Sequence, residues 1–488
     1  MIVATSVAAA TPSVPKVAPV PVQAVVQAAA LLDTRLERAA GAIDDGRYAF
    51  ALDLVAGAIG DGRLSAADGD WAAYLKARAL TGLGKSNDAE KVVRERYAAS
   101  PNGYTWASLV AILTASGRFD DAAAAILDLE EEHFIMVNRL RPAVVESIVG
   151  SVSAGPVRDK LIVRLVEGRY SGPSSQRVPD TLRLRYIGML LGQRRVEDAA
   201  RQTEALETPS ILSVVLTDRA FETIWEHPSV RSLMASGALV ARVERGLQLQ
   251  LEQASLTSTD WLNVMRSLRV IGKADEAVRL GLHAVEQARR EKKPAGPALR
   301  LEIANAYADL GQAWAARRAA RALLKEETAL PISLRVAIAE VLDVTGDDDG
   351  ALHLLATLEG EARTAAVLEA TVCAAHDIGR IAKRDEALAA LEAMKGEAPA
   401  EAFDAFVCTG QKDKAAAVLG AMFAKPETRA AAIMLAQLYA DPIAPVADQS
   451  DLRYRMRALV ATAAVQEAIA PYARSIPLPF TIANARGL

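Results

Sequence analysis

The chain has 488 residues, of which 51% are apolar, 5% aromatic and 24% charged, and its net charge is −4. With 56 basic and 60 acidic residues it has no global field that would attract nucleic acid or an anionic membrane, so we do not expect nucleic acid among its partners. No stretch reaches 18 consecutive apolar residues, so we also expect no integral membrane span.

The first 24 residues differ in composition from the rest of the chain. MIVATSVAAA is short and apolar and ends in three alanines, like the end of a secretory signal, although no basic segment precedes it. The segment that follows is typical of an extended spacer after a cleavage site, because it contains Pro12, Pro15, Pro19 and Pro21. We interpret residues 1–24 as a signal remnant and Pro-rich spacer, which predicts a periplasmic or otherwise exported protein. The alternative is a frayed apolar terminus on a cytoplasmic protein.

The most regular stretch, residues 260–290, predicts two short helices folded back on each other. Trp261, Met265 and Leu268 fall on one helical face. Gly272 then ends the first helix, because glycine takes the left-handed conformation that lets the chain turn back. The second helix carries a stripe of small residues that begins at Ala277. Two helices of this length bury little surface alone, so the interpretation requires that the unit repeats.

The unit does repeat. A small residue shortly after each turn marks it, and most markers end a Gly-x-x-x-x-Ala turn. The average interval is roughly 36 residues when two gaps of double length are each counted as two units. The markers are Ala51, Ala89, Ala122, Ala199, Ala277, Ala316, Ala351, Ala387 and Ala415.

These units resemble the tetratricopeptide repeat (TPR) family, whose period is about 34 residues. The unit from Ser258 carries Trp261, Leu268, Gly272, Ala277 and Ala284 at the signature positions, with Met265 in place of a small residue. The unit from Gly103 keeps Trp106, Leu109, Leu113, Gly117, Phe119 and Ala122. The resemblance covers roughly residues 40–430. It implies an all-α fold, a right-handed superhelical α-solenoid of about ten TPR-like helix-turn-helix units.

We divide the chain after residue 24 into four segments. They are an N-terminal TPR-like array (25–170), a loop with degenerate units (171–256), a C-terminal TPR-like array (257–440), and a C-terminal helix with an extended tail (441–488). The loop SGPSSQRVP opens the second segment, because two prolines and three serines interrupt the helical pattern. In the degenerate region we expect Phe221 and Trp225 to plug a packing gap. A last repeat helix is predicted from about Thr428 to Tyr439.

The TPR resemblance implies that the first helices of the units line a groove that holds extended peptides. On this face the helical period places Trp71, Tyr74 and Arg78, with Tyr104 nearby in the next unit. Aromatic rings offer contact area and arginine binds carboxylates or backbone carbonyls, so these residues suit a peptide-binding groove. The alternative is that Trp71 and Tyr74 only cap a helix pair near the end of the array. In the unit from Ser258 the same face holds Leu262, Arg266 and Arg269, joined by Asn305 from the next unit.

No complete catalytic or cofactor motif is present in the sequence. The segment GLGKS from Gly82 lacks the first glycine of a phosphate-binding loop, and neither HExxH nor Gly-x-Ser-x-Gly occurs. The acidic residues beside His133 read as a solvated helix end rather than a metal site. We therefore predict a non-catalytic protein–protein interaction scaffold, without metal or cofactor, that binds a partner protein or peptide in its groove.

Three further points stay open in the sequence. An envelope polysaccharide-processing enzyme, or its accessory subunit, is the alternative function and requires converging carboxylates in residues 130–180 or 207–256. A structural spacer without a specific ligand is a third hypothesis.

Cys373 and Cys408 are too few for a disulfide framework or a zinc site. They lie about one repeat apart, so their pairing across neighbouring helices stays open.

Overall fold

The computed structural model describes residues 35–43, 46–60, 64–172, 177–235, 237–252, 256, 258–291, 295–327, 330–394, 396–440 and 452–481. The chain divides into two compact units, residues 1–161 and 162–488, and each is described by itself. The predicted signal remnant and Pro-rich spacer lie outside the described residues.

The N-terminal unit is a series of helices that fold back on one another and pack as pairs. Its first core is rich in alanine, which lets the helices approach closely, and it unites Leu36, Val55, Ala72 and Leu75 from three helices. The helices are α1 (described over 35–43), α2 (Tyr48–Gly60), α3 (Ala66–Gly82), α4 (Ser86–Ala99), α5 (Gly103–Ala115), α6 (Phe119–Leu127), a 3₁₀ helix (Glu131–Arg139), α7 (Pro142–Ser151) and α8 (Pro156–Glu167), inside which the two units divide.

The turns between paired helices use left-handed backbone. Gly84 has φ 75°, and there the Lys85 amide donates to the carbonyl of Leu80 at 2.9 Å. Glycine suits this position because it has no β-carbon to clash with the backbone. In the unit marked by Ala199 the equivalent position is Arg194, which has φ 60°. The turn geometry therefore persists in a unit whose sequence has lost the glycine.

The C-terminal unit continues the series of helix pairs and includes one two-stranded sheet. Its helices are α9 (Asp180–Gly192), α10 (Val196–Thr203), α11 (Pro209–Thr217), a 3₁₀ helix (Arg219–Ile224), α12 (Pro228–Leu233), α13 (Ala238–Leu251), α14 (Ser258–Val270), α15 (Ala274–Arg290), α16 (Pro297–Asp309), α17 (Ala313–Glu326), α18 (Ile332–Val344), α19 (Asp348–Glu361), α20 (Ala365–Asp377), α21 (Ile381–Glu392), α22 (Pro399–Cys408), α23 (Lys412–Ala424), α24 (Pro426–Leu435), α25 (Leu452–Val460) and α26 (Ala463–Ile469). The fold is thus a TPR-like array of helix pairs, as the sequence predicts.

The end of the array departs from the prediction. The last repeat helix, α24, ends at Leu435, and the predicted extension to Tyr439 is wrong. Residues Leu438–Ala440 form strand β1, which pairs in parallel with β2 (Pro477–Thr481) in the tail. The backbone groups of β1 find their partners in β2 rather than in a further helical turn. The sequence predicted no strand here, because the partner lies almost 40 residues away.

The C-terminal tail also contacts an earlier part of its own unit. The amide of Arg219 donates to the Tyr472 carbonyl, and the amide of Arg474 donates to the Thr217 carbonyl, both at 2.9 Å. Phe221 and Trp225 are buried, as expected of a packing plug. Elements separated by about 250 residues in sequence are therefore joined through backbone hydrogen bonds.

A disulfide links Cys373 in α20 to Cys408 in α22, with the two Cα atoms 5.4 Å apart. Both cysteines are buried in one apolar cluster with Phe403 and Phe406. The carboxylate of Glu369, also buried, lies 3.5 Å from the sulfur of Cys373. The structure thus pairs two cysteines whose pairing the sequence leaves open.

Candidate peptide-binding surface

Two aromatic rings and an arginine form a continuous cluster on α3. The rings of Trp71 and Tyr74 stack with centroids 5.2 Å apart and planes inclined by 19°. One turn later, the guanidinium of Arg78 lies 5.7 Å from the centre of the Tyr74 ring. Positions 71, 74 and 78 share one helical face. Trp71 is 39% exposed, which leaves ring surface available for a ligand.

The start of α3 is fixed by its own cap and by the helix that follows. Ser65 and Asp68 form a capping box, in which each side chain accepts from the other residue's backbone amide. Arg96, from the end of α4, binds the Asp70 carboxylate and donates to the Ala66 carbonyl at 2.9 Å. These contacts hold the first turn of α3 and therefore the orientation of the aromatic pair that follows it.

A third ring lies on the neighbouring first helix, α5. Asn102 caps α5 by accepting from the amides of Tyr104 and Thr105, both at 3.0 Å. Tyr104 is 51% exposed. The guanidinium of Arg139 lies 4.4 Å from the Tyr104 ring centre and donates to its hydroxyl at 3.1 Å. Arg139 belongs to the 3₁₀ helix, and the sequence analysis missed it because helical periodicity does not relate it to α5.

We refer to Trp71, Tyr74, Arg78, Tyr104 and Arg139 as the aromatic face. Helices α3 and α5 pack directly against each other, so the two ring clusters belong to adjacent helices of the N-terminal unit. Rings offer apolar area at low entropic cost, and guanidinium groups donate several hydrogen bonds in a plane. This combination can bind an extended backbone through its carbonyls while the rings receive apolar side chains.

In the C-terminal unit, the residues predicted to line a groove do not form an exposed cluster like the aromatic face. Arg269 has only 3% of its side chain exposed and makes ion pairs with Glu302 and Asp309. Burial opposes its charge, but the two carboxylates outweigh burial and raise the pKa of Arg269 above its usual value. Arg269 therefore joins α14 to α16 internally, because its guanidinium is enclosed by acidic partners rather than presented to a ligand.

The other three predicted residues of this unit lie around that ion pair on α14 and α16. Arg266 is 57% exposed in its side chain, with Nε 3.6 Å from the Glu302 carboxylate. Leu262 and Asn305 are half-buried. The hydroxyl of Thr481 in β2 donates to the backbone carbonyls of Arg269 and Val270 at 2.9 and 3.2 Å, so the tail contacts the end of α14. None of the four predicted residues is aromatic, so the stacked rings of α3 have no counterpart among them.

A cleft and an exposed acidic cluster also bring polar side chains together in the described part of the chain. A cleft of about 220 Å³ between α21, α22 and α23 is mostly apolar, and its one lining carboxylate, Glu392, pairs with Lys414 at 2.7 Å. General acid–base catalysis by a carboxylate pair needs a second carboxylate there. The second place is an exposed helix end where Glu130, Glu132 and His133 gather, with His133 Nδ1 3.7 and 3.8 Å from the two carboxylates. The two carboxylates are exposed, and exposed acidic groups commonly gather in this way without a metal.

An exposed tryptophan that the sequence analysis did not single out lies in the C-terminal unit. Trp314, in the first turn of α17, is 67% exposed, and the guanidinium of Arg318 lies 5.2 Å from its ring centre. It belongs to the second helix of its pair, and no other ring is described in contact with it. Of the two tryptophans at TPR signature positions, Trp106 is buried at 2% exposed and Trp261 is half-buried.

The fold and the aromatic face define a TPR-like helical-repeat protein with a candidate protein-binding surface. In the part of the chain that the structure describes, no helix is both long and apolar enough to cross a membrane. No protein-family model matches the chain, and no curated protein matches it.

Among solved structures, three chains are similar to this one at low sequence identity. The assembly chaperone of RpL4 (Acl4, residues 1–338) has 15% identity and a TM-score of 0.30, covering 64% of this chain and 97% of its own. The pentatricopeptide repeat protein PPR10 from maize has 11% identity and a TM-score of 0.32, covering 83% and 64%. The APC/C hetero-tetramer Cut9-Hcn1 has 11% identity and a TM-score of 0.29, covering 91% and 88%.

Proposed function

We propose that the protein is a non-catalytic scaffold that binds an extended peptide segment of a partner protein through the aromatic face. The observation that carries this proposal is the stack of exposed Trp71 on half-buried Tyr74, continued by exposed Arg78, on a first repeat helix. Such rings bind apolar side chains, and the two arginines of the face supply donors for the carbonyls of the bound backbone or for a carboxylate.

We place this activity in the cell envelope. The apolar start of the sequence, which ends in three alanines before a proline-rich segment, supports export. The buried disulfide between Cys373 and Cys408 supports it independently, because structural disulfides persist in oxidising compartments and are rare in the cytosol. The intact mass of the chain purified from the periplasm of its host tests this placement, and a product that begins near Thr11 is the expected result.

Peptide selection tests the binding proposal without a known partner. A displayed library of random peptides is panned against the immobilised full chain, and the enriched peptides are then titrated by fluorescence anisotropy. We expect sequences that bind the wild type and lose at least tenfold in affinity for Trp71→Ala/Tyr74→Ala, since truncating anchor residues costs about 2 kcal/mol or more.

The chain offers a matched control for that experiment. Trp314→Ala removes an exposed tryptophan that also lies beside an arginine, but in the other unit. We expect this variant to bind the selected peptides as the wild type does. Peptides that bind Trp71→Ala/Tyr74→Ala with unchanged affinity, while circular dichroism shows both variants to be fully helical, would contradict the proposal.

A further inference from the structure

We propose that the aromatic face has an intramolecular ligand, the Pro-rich segment at residues 11–22 of the same chain. This inference rests on the proposed function, because it assigns an occupant to the same surface. It adds a regulatory consequence, namely that a partner peptide must compete with a segment of the protein itself.

The chemistry of the segment fits the face. TPSVPKVAPVPV contains four prolines and four valines and a single charged residue, Lys16. Proline-rich sequences favour the polyproline II conformation, which leaves every backbone carbonyl without an internal hydrogen bond and loses little entropy on binding. Grooves that recognise such sequences are lined by aromatic rings that receive the prolines. The aromatic face supplies three rings, and Arg78 and Arg139 beside them can donate to the carbonyls.

The described part of the chain begins at the end of the unit where the aromatic face lies. Arg35, the first described residue, donates to the Gly57 carbonyl near the end of α2, and α3 begins shortly after that end. The starts of α1 and α3 therefore lie at the same end of the unit. Trp71 is in the second turn of α3 and Tyr104 in the first turn of α5, so both rings are close to that end.

The connection is long enough to reach the face. Residues 23–34 separate the Pro-rich segment from Arg35 and can span up to about 40 Å when extended. Neighbouring packed helices are about 8–10 Å apart, so a distance of two helices is well within reach. A short tether of this kind gives an effective concentration of millimolar order.

The segment would act as a built-in competitor. If it binds the face with an intrinsic Kd of about 0.1 mM, an effective concentration near 1 mM weakens the apparent affinity for an added peptide about tenfold. Partners that bind weakly are then excluded, and removing the competition raises the affinity for all peptides that use the same rings.

Photocrosslinking of the full chain tests the contact directly. The photoreactive amino acid p-benzoylphenylalanine replaces Val17, and the crosslinked product is mapped by mass spectrometry after proteolysis. We expect a product with the mass of one chain, crosslinked within residues 66–82 or 103–115. We also expect this product to be lost when the prolines are replaced in Pro12→Ser/Pro15→Ser/Pro19→Ser/Pro21→Ser, and when the rings are replaced in Trp71→Ala/Tyr74→Ala.

Competition provides the second readout. A peptide selected on the aromatic face should bind the variant without the four prolines about tenfold more tightly than the wild type. It should bind Lys16→Ser, which keeps all four prolines, as it binds the wild type.

Equal affinity for the variant without the four prolines and for the wild type, without a crosslink, overturns the inference but leaves the proposed function intact. A crosslink found only in products of twice the chain mass also overturns it, because the occupant is then a second copy. Failure of the proposed function has a different signature, since no selected peptide would then depend on Trp71 and Tyr74.

Discussion

The guanidinium of Arg474 lies 3.9 Å from the centre of the Trp225 ring, and its Nε donates to the Leu216 carbonyl at 2.6 Å. The pair connects the C-terminal tail to an earlier part of the same unit across about 250 residues of sequence. Trp225 is also held at its edge, because its indole N–H donates to the Val215 carbonyl at 2.9 Å. The predicted plug thus has a specific partner, which makes the tail part of the folded core.

We expect Arg474→Ala to destabilise the C-terminal unit by about 2–3 kcal/mol. The variant loses a charge-assisted hydrogen bond and a cation–π contact. Urea unfolding measures the loss, and hydrogen exchange localises it, since the amides of Arg219 and residue 474 should exchange faster than in the wild type. Arg279→Ala is the control, because that side chain is 71% exposed and its loss should change stability by less than about 0.5 kcal/mol. If both amides exchange as in the wild type, the tail keeps its backbone hydrogen bonds without the contact between Arg474 and Trp225.

We expect Arg269→Ala to cost about 3–5 kcal/mol, because it leaves two acidic groups in a buried site without their cation. Glu302 and Asp309 have only 5% and 12% of their side chains exposed. The nearby Arg266→Ala should be almost neutral, because Arg266 is exposed and its ion pair is long. Urea unfolding of both variants distinguishes a structural role for Arg269 from a binding role. An Arg269→Ala protein of normal stability would return Arg269 to the set of groove candidates.

Local features of this fold could be predicted from sequence, and long-range features could not. The turn at Gly84 and the buried Trp106 follow from spacing within one unit, because each depends on residues a few turns away. Tyr74 and Trp71 share a face for the same reason. Arg139 reaches Tyr104 from 35 residues away, through an irregular 3₁₀ helix whose period gives no signal.

The difference between local and long-range features also explains two predictions for the C-terminal array that the structure contradicts. The burial of Arg269 depends on Glu302 and Asp309 in the next pair, so a helical projection of α14 alone could not separate it from the exposed Arg266. The end of α24 depends on β2, which reaches β1 only after two intervening helices. In both cases the deciding partner is set by tertiary packing rather than by local pattern.

We expect Arg194→Gly to stabilise the protein by about 0.5–1 kcal/mol. Arg194 has φ 60°, where a side chain costs about 1–2 kcal/mol, and glycine relieves that cost while losing part of the gain to unfolded-state entropy. The Arg194 side chain is exposed, so few contacts are lost. Arg194→Ala is the matched control, since it removes the same side chain but keeps the β-carbon and its strain. Equal midpoints of urea unfolding for the Gly and Ala variants would mean that the backbone is not strained there.

We expect reduction of the Cys373–Cys408 disulfide to lower the stability of the C-terminal unit by about 3–4 kcal/mol. The two cysteines are 35 residues apart, and closing a loop of that length removes conformational entropy from the unfolded chain. Urea unfolding with and without a phosphine reductant measures the difference. Cys373→Ala/Cys408→Ala should unfold at the lower midpoint in both conditions, because it has no bond to reduce. The disulfide also holds α20 against α22 beside the buried Glu369 carboxylate. Reduction removes this link between the two helices, which is a second reason to expect lower stability. A wild-type midpoint that does not respond to the reductant, although mass spectrometry after alkylation shows both thiols to be free, would mean that helix packing alone fixes this part of the array.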